Sequence, residues 1–312
     1  MTTKSKSVRV AIVQKPPVYL DLEASLKLVA QYTKEAAEQG AEVVVVGETW
    51  LPGYPAWIDQ CGEVALWGND ATKKVFARLR QNSLVIPSAD SERIAAVARD
   101  SNVTLVIGAH ERVDSGPGNG TLYNVLLTFT PNGNLAGHHR KLVPTYTERL
   151  VWGPGDGSSL EAVDTPSGRI GGLICWEHWM PLARQAMHES GEQIHVAVWP
   201  TAHEMHQLAS RHYALEARCF VLAAGSIMRG SDLPPEFARP EGVSDDTLLL
   251  RGGSAIIAPN GTYLAGPVFD EEAIVIADLD LSQIDEEKMT LDVSGHYHRP
   301  DLFEFSVRRG RG

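Results

Sequence analysis

The amino-acid sequence predicts an α/β fold in which strands from both halves of the chain share one core. The first observation is that segments rich in β-branched residues alternate with segments whose apolar residues repeat at helical spacing. The second is an Asn-Gly pair between strand-like runs in each half, at Asn132-Gly133 and at Asn260-Gly261. These pairs predict two hairpins with type I′ turns, and hence two related sheets that face each other. Common turn chemistry is the alternative explanation of both pairs.

Nine segments are predicted to be strands because they are rich in β-branched residues and are bounded by turn residues. In chain order they are residues 8–13, 42–46, 103–109, 122–130, 169–175, 194–199, 219–226, 253–258 and 273–279. Helices are predicted between them, at residues 22–37, around 94–98 and over 203–218. Thr201 followed by Glu204 predicts a capping box at the start of the last helix, where Leu208 and Leu215 repeat at helical spacing.

The length of the chain allows one large domain or two ordinary ones, and no linker-like stretch divides the sequence. The chain has 312 residues, of which 43% are hydrophobic and 21% are charged, so it can bury a sizeable core. We expect a single domain over residues 1–312. A stretch rich in proline and acidic residues predicts a surface loop at about 229–246, and a short C-terminal tail is expected from about 306.

Charge and cysteine content limit the partners and the compartment. The formal net charge of −11 disfavours a nucleic-acid binder, which needs a basic surface. No apolar run approaches the roughly 18 residues that a membrane span requires, so no membrane insertion is expected. Cys61, Cys175 and Cys219 share no C-x-x-C spacing, which indicates free thiols in a reducing compartment. We therefore expect a cytoplasmic protein.

Cys175 is the first candidate for chemistry. It ends an apolar strand in which Gly171 and Gly172 carry no side chains, and Pro181 suits the first turn of a following helix. A thiol at such a position lies near a positive helix dipole, which predicts a lowered pKa for the Cys175 thiol. A buried structural cysteine would show the same local sequence.

A cysteine nucleophile requires a base and a group that stabilises the negative charge developing on attack. Glu48 follows an apolar strand, and desolvation by Trp50 and Trp57 would raise the pKa of its carboxyl group. Lys141 follows the first predicted hairpin. Taken singly, Glu48 would also fit a capping acid, and Lys141 a solvated surface charge.

Together these residues resemble the Glu-Lys-Cys triad of the nitrilase, or carbon-nitrogen hydrolase, superfamily. The similar segments are residues 47–55, 139–145 and 175–178, and residues 148–157 and 295–303 resemble the nitrilase branch itself. The resemblance extends from about residue 8 to residue 305. Trp176-Glu177-His178 after the cysteine looks like the nitrile-cleaving branch, whereas amidases and carbamoylases usually have an aromatic residue and then Asp.

The resemblance implies a four-layer α-β-β-α sandwich and a cofactor-free nitrilase that converts an organic nitrile to a carboxylic acid and ammonia. In this reading Cys175 attacks the nitrile carbon, Glu48 acts as the base and Lys141 stabilises the anion. Glu148 resembles the additional family glutamate that positions the lysine and the substrate; a surface salt bridge is its alternative role. An aliphatic amidase, a cyanide hydratase or dihydratase, and a catalytically silent scaffold protein are the alternative functions.

Aromatic residues lie in or beside the segments that carry the resemblance. Tyr54, Trp57, Trp176 and Trp199 are expected to bind the small-molecule substrate. With Tyr146, they favour a nitrile that bears an aryl or arylalkyl group, because aromatic walls supply large apolar contacts. Packing in the core behind the site is the alternative for these rings.

No metal or cofactor is expected. His203 and His206 are three residues apart on a predicted helix, but no acid or cysteine completes a ligand set with them. Neither a phosphate-binding loop nor a dinucleotide fingerprint occurs in the sequence. The resemblance also implies a homodimer that can extend into a higher helical oligomer, with the loops at about 57–70 and 229–246 at its contacts.

Overall fold

The computed structural model describes residues 7–309 of the chain. Two mixed β-sheets lie at the centre of the fold. The strands of this part of the chain are β1 (Ser7–Gln14), β2 (Val43–Leu51), β3 (Thr104–Arg112), β4 (Leu122–Phe129), β5 (Leu135–Arg140), β6 (Val163–Thr165), β7 (Gly168–Ile174), β8 (Ile194–Val198), β9 (Phe220–Ala224), β10 (Ile227–Arg229), β11 (Leu248–Ile257), β12 (Tyr263–Phe269) and β13 (Ala273–Asp280). The helices are α1 (Leu22–Glu38), α2 (Trp57–Gln60), α3 (Asp70–Gln81), α4 (Ala89–Asp100), α5 (Pro181–Glu189), α6 (Glu204–Ala217) and α7 (Ser282–Lys288). The nine predicted strands and three predicted helices are confirmed. Strands β5, β6, β10 and β12 are additional.

The two sheets pack face to face, and helices cover their outer faces. The first sheet has the strand order β13-β1-β2-β3-β4-β5, and the second has β10-β11-β9-β8-β7-β6 with β12 paired to β11. Val10 and Val45 of the first sheet share a buried cluster with Leu173 and Val196 of the second, and helices α5 and α6 pack on the second sheet. Residues whose side chains point to the other face of the first sheet, such as Ala11, pack against helices α1 and α4 instead. The four-layer α-β-β-α sandwich is therefore confirmed.

Each predicted Asn-Gly turn closes a hairpin, and the two hairpins lie in different sheets. Strands β4 and β5 pair in the first sheet, and β11 and β12 pair in the second. Gly133 and Gly261 have φ values of 83° and 78°, but Asn132 and Asn260 are not among the residues with positive φ. The predicted type I′ geometry is wrong, because that turn needs a left-handed conformation at both positions.

The predicted capping box at the start of α6 is also wrong. His203 occupies the N-cap position, and its backbone N–H donates to Nδ1 of His206 at 3.1 Å. Thr201 is engaged elsewhere, since its Oγ1 accepts a hydrogen bond from the backbone N–H of Arg251 at 3.0 Å. The hydroxyl is therefore held by strand β11 rather than by the helix.

The leucines of α6 point away from the core. Leu208 and Leu215 are 62% and 42% exposed, whereas Tyr213 is fully buried against the second sheet. Gln207, Ala209, Ser210 and Ala214 are the other buried residues of the helix. The helical spacing of the leucines thus marks an apolar outer surface.

The thiols agree with the expectation from the sequence. Cys61, Cys175 and Cys219 are all free and buried.

Among residues 7–309, no α-helix combines the length and the hydropathy needed to traverse a bilayer. The last three residues of the expected C-terminal tail lie outside the described part of the chain.

Candidate active site

Glu48 lies near the carboxyl end of β2, and its side chain is fully buried. Its Oε1 accepts hydrogen bonds from Nδ2 of Asn124 at 2.7 Å and from Nζ of Lys141 at 3.0 Å. Its Oε2 has no hydrogen-bond partner within residues 7–309. Burial raises the pKa of Glu48 to about 7, against the opposing effect of the Lys141 charge. A carboxylate with one free oxygen and a pKa near neutrality is suited to accept a proton.

The two tryptophans that were expected to desolvate Glu48 pack elsewhere. Trp50 contacts Tyr32 of helix α1, with ring centroids 6.3 Å apart. Trp57 stacks on Phe237 at 5.5 Å. The direction of the Glu48 pKa shift agrees with the prediction, and its largest cause is the burial of the carboxyl group at the end of β2.

Lys141 follows β5 and is held between two buried carboxylates. Its Nζ donates to Oε1 of Glu48 at 3.0 Å and to Oε2 of Glu148 at 2.7 Å. Glu148 is only 2% exposed and also accepts hydrogen bonds from the backbone N–H of Thr145 and the hydroxyl of Tyr54. A surface salt bridge is thus wrong for Glu148. Burial alone would lower the pKa of Lys141, but the negative charges of the facing Glu48 and Glu148 carboxylates keep that pKa well above its usual value.

Cys175 lies where strand β7 ends, and it opens a short 3-10 helix that leads to Pro181 and α5. Its φ of 54° is left-handed, a conformation that a side chain other than glycine adopts only under strain. Its Sγ, one carboxylate oxygen of Glu48 and one carboxylate oxygen of Glu148 all lie within 4.8 Å of one another. Residues from three separate segments therefore meet at the cysteine.

The expected lowering of the Cys175 pKa is wrong. Burial, followed by the negative charge of Glu48, raises the pKa of the thiol well above its usual value. The ammonium group of Lys141 and the backbone N–H of Trp176 oppose this rise without overcoming it. The local dipole is outweighed because it acts on a sulfur that is removed from water and faces two carboxylates. The resting site therefore holds a thiol beside a potential base.

Glu177 connects the backbone next to Lys141 with the backbone next to Cys175. One carboxylate oxygen accepts from the N–H of Leu142 at 2.7 Å, and the other accepts from the N–H of Ile174 at 2.6 Å. Nε2 of His139 donates to the same carboxylate at 2.9 Å. Burial would raise the pKa of Glu177, but the His139 imidazole and the two backbone donors lower it. An ionised glutamate thus ties the two sheets together at the site.

A cavity of about 910 Å³ opens over Cys175. Tyr54 and Trp176, two of the four residues expected to bind the substrate, contribute to its wall, as does Tyr146. The other two do not line it: Trp57 is buried against Phe237, and Trp199 has no exposed surface. The remaining apolar lining comes from Ala56, Val143, Pro144, Met180, Pro200, Leu249 and Leu250.

Asn124 is a site residue that the sequence reasoning missed. It lies in β4, which is separated from β2 by β3, and its side-chain amide donates to the Glu48 carboxylate and so orients it. The available signal was a polar residue in a strand whose other positions are mostly apolar, since a buried polar group usually has a specific partner. Glu177 belongs to residues 175–178, one of the segments that carry the family resemblance. Its contacts with Leu142, Ile174 and His139 are tertiary and cannot be predicted from positions along the sequence.

The three donors Glu48, Glu148 and Cys175 are close enough together to hold a metal ion. The ammonium group of Lys141 lies between the two carboxylates, at 3.0 and 2.7 Å. It supplies the positive charge that a metal ion would bring, and it would have to move before an ion could bind there.

The fold and this set of side chains define a class of enzyme, the hydrolases of carbon–nitrogen bonds other than peptide bonds. The chain belongs to the carbon-nitrogen hydrolase family, whose sequence model matches residues 9–289.

Curated relatives and solved structures agree with that assignment. An aliphatic nitrilase of Sinorhizobium fredii is 40% identical over 96% of this chain and 95% of its own length. A bifunctional nitrilase/nitrile hydratase of Nicotiana tabacum is 38% identical over 98% of this chain and 87% of its own. The crystal structure of Saccharomyces cerevisiae Nit3 covers 94% of this chain and 97% of that chain with a TM-score of 0.71. At 20% identity it bears on the fold alone.

Proposed function

We propose that this protein is a nitrilase that hydrolyses an organic nitrile to the carboxylic acid and ammonia. The observation that carries the proposal is the cluster of Glu48, Lys141 and Cys175, of which Cys175 lines the wall of the cavity. The nitrilase relatives at 38–40% identity support the same reaction. We further propose that Glu148 positions Lys141, because it is the second carboxylate bound to Nζ.

The first stage forms a thioimidate. Glu48 accepts the proton of the Cys175 thiol through its free Oε2, and the sulfur attacks the nitrile carbon. The proton passes to the nitrile nitrogen, so that a carbon–sulfur bond forms as one carbon–nitrogen π bond breaks. Lys141 and the backbone N–H of Trp176 stabilise the negative charge that develops on the nitrogen.

The second stage releases both products. Glu48 activates a water that adds to the thioimidate carbon, and ammonia leaves with the proton that the glutamate returns. The resulting thioester is attacked by a second water, which releases the carboxylic acid and restores the Cys175 thiol. One nitrile and two waters thus give one acid and one ammonia, and no redox change occurs.

Product analysis separates this reaction from its alternatives. Purified protein is incubated with a nitrile, the matching amide or cyanide, and ammonia, acid and amide are quantified. We expect acid and ammonia in equal amounts from the nitrile. Faster hydrolysis of the amide would indicate an amidase, and turnover of cyanide alone would indicate a cyanide hydratase or dihydratase. No product from any of the three would favour a scaffold protein.

Activity is expected to fall as the pH is lowered through about 7. Glu48 accepts a proton only when it is ionised, and burial raises its pKa to about 7, so the protonated and inactive form accumulates below that pH. The measurement is kcat/KM against pH with an uncharged nitrile. Samples returned from low to high pH should regain full activity, which excludes unfolding as the cause. A flat profile between about pH 5 and 8 would contradict the role of Glu48.

We propose aromatic or arylaliphatic nitriles as the preferred substrates. The support is the cavity wall, where Tyr54, Tyr146 and Trp176 stand among apolar side chains. Values of kcat/KM for phenylacetonitrile-type compounds are expected to exceed those for short aliphatic dinitriles, since this ratio reports transition-state binding. The Sinorhizobium fredii relative is named an aliphatic nitrilase. The reverse ranking would reject the aromatic preference and leave the nitrilase reaction intact.

We also propose a homodimer that can extend into a helical oligomer. Trp67 in the loop at 57–70 is fully exposed, and α6 presents Leu208 and Leu215 to solvent. Large apolar side chains that are exposed to water support association surfaces at these two places. Light scattering should give at least twice the 34.0 kDa of one chain, and a strictly monomeric mass would reject the proposal.

A cytoplasmic location is proposed on the three free thiols alone.

A further inference from the structure

A second buried polar cluster lies behind Cys175, between the second sheet and helices α5 and α6. It begins at the backbone carbonyl oxygen of Cys175, which is 2.7 Å from Nδ1 of His178. Nε2 of His178 lies 3.0 Å from Nε2 of His195 on strand β8. Nδ1 of His195 lies 2.7 Å from Oε2 of Glu192. All three side chains are buried, and none of them takes part in the reaction proposed above.

These contacts fix the number of protons on the two imidazole rings. The carbonyl oxygen of Cys175 can only accept, so Nδ1 of His178 carries a hydrogen. An ionised Glu192 can only accept, so Nδ1 of His195 carries a hydrogen as well. The contact between the two Nε2 atoms requires one more. Three hydrogens on four ring nitrogens make one of the rings an imidazolium.

His195 is the ring that carries the additional proton. Burial alone would raise the pKa of Glu192, but the facing imidazoles of His195 and His188 lower it to about 2, so Glu192 is a carboxylate. The hydroxyl of Tyr213 donates to the other oxygen of that carboxylate. Burial, followed by the charge of His195, lowers the pKa of His178 well below its usual value. The result is an ion pair between Glu192 and His195, with a neutral His178.

Other titratable groups surround this chain of contacts. They are Arg184 and His188 from α5, Tyr213, Glu216 and His206 from α6, and Cys219 just before β9. Arg184 binds Glu216 at 2.7 Å and donates to the backbone carbonyl of His178 at 3.0 Å. Neither Arg184 nor Glu216 has a hydrogen bond to the ring nitrogens of His178 or His195.

The geometry points to a positioning role: we propose that His178, oriented by the His195–Glu192 ion pair, holds the strained backbone of Cys175 in its reactive arrangement through the hydrogen bond to the Cys175 carbonyl. The φ of 54° at Cys175 needs support from its surroundings, and this is the contact that the buried cluster supplies. This inference rests on the proposed role of Cys175 as the nucleophile.

Nitrogen-15 NMR of histidine-labelled protein tests the proton count directly. Signals are assigned by their loss in His178→Asn and His195→Asn. We expect His195 to be doubly protonated near pH 7 and His178 to be protonated at Nδ1 alone. Two neutral rings, or a His178 protonated only at Nε2, would overturn the proposal. This readout needs no nitrile turnover, so it stands or falls separately from the proposed function.

Removal of the Glu192 charge tests the link to catalysis. Glu192→Gln breaks the ion pair with His195, so kcat should fall by about tenfold or more. KM should change by less than about threefold, because the cavity wall is unaltered. Glu216→Gln is the matched control, since it removes a carboxylate of the same cluster that has no hydrogen bond to the rings of His178 or His195, and it should keep kcat within about threefold. An equal fall of kcat in both variants, or none in Glu192→Gln, would overturn the proposal.

Substitution of His178 separates the hydrogen bond from the packing. His178→Phe fills the space without a donor and should lower kcat by about tenfold to a hundredfold, because small displacements of reacting groups carry large rate costs. His178→Asn places an amide N–H near the position of Nδ1 and should recover most of that loss. In the Asn background, Glu192→Gln should no longer lower kcat. Equal damage in the Phe and Asn variants, with circular dichroism unchanged, would contradict the role of His178. If the Phe variant does not fold, the NMR pattern and the glutamate pair decide.

Discussion

Cys175→Ala is expected to abolish nitrile hydrolysis while the protein remains folded. The thiol supplies the only sulfur that faces Glu48 and Lys141 among the residues described, so no other group can form the covalent intermediate. We expect kcat to fall by a factor on the order of 10⁴ or more, as for the loss of a nucleophile that acts with its partners as one unit. The change removes one buried atom, and its effect on the melting temperature should be small.

The other two cysteines provide matched controls for this variant. Cys61 and Cys219 are also free and buried, but neither lines the cavity. Cys61→Ala and Cys219→Ala should therefore keep kcat within about threefold of the wild-type value. Wild-type rates in purified Cys175→Ala protein would reject the assignment of the nucleophile.

Lys141→Ala is expected to damage both activity and stability. The substitution leaves the carboxylates of Glu48 and Glu148 buried together without a cation, since Nζ is bonded to both. Breaking a buried ion pair by removing one partner costs about 3–5 kcal/mol of unfolding free energy. It also removes the charge that stabilises the developing anion, so kcat should fall by a factor on the order of 10³ or more.

Lys15→Ala is the control for the lysine. Lys15 also pairs with a glutamate, Glu35, at 2.5 Å, but both side chains are partly exposed and lie outside the cavity. Its removal should cost no more than about 1 kcal/mol, because surface ion pairs contribute little. Denaturant unfolding and steady-state rates measure both effects. Equal losses in the two lysine variants would contradict a special role for Lys141.

The strands and the two sheets could be predicted because their signals are local. Runs such as Val43–Val46 in β2 are apolar and β-branched, and the Asn-Gly pairs mark the hairpins. Strands β6 and β10 have only three residues each and carry no such run, so they escaped prediction. The exposure of Leu208 and Leu215 on α6 was also not predicted. Helical spacing shows that apolar residues share one face of the helix, but it does not show whether that face packs on the sheet.

The site shows the same division between local and tertiary information. Glu48, Lys141, Glu148 and Cys175 were found from the segments that carry the family resemblance. The pKa of Cys175 was predicted in the wrong direction, because the dipole of the following turn is local whereas burial and the facing carboxylates are not. The burial of Trp57 and Trp199 could not be predicted from the sequence either, because residues next to each of them line the cavity while the two rings themselves lie in the core.

The central claim is that Cys175 carries the substrate as a covalent intermediate during nitrile hydrolysis. Mass spectrometry of protein quenched in acid during turnover, followed by peptide mapping, tests this most directly. We predict a mass increase equal to the acyl or imidoyl group of the nitrile, located on the peptide that contains Cys175 and absent from Cys175→Ala protein. Steady turnover with no adduct, or an adduct on Cys61 or Cys219 in its place, would contradict the account.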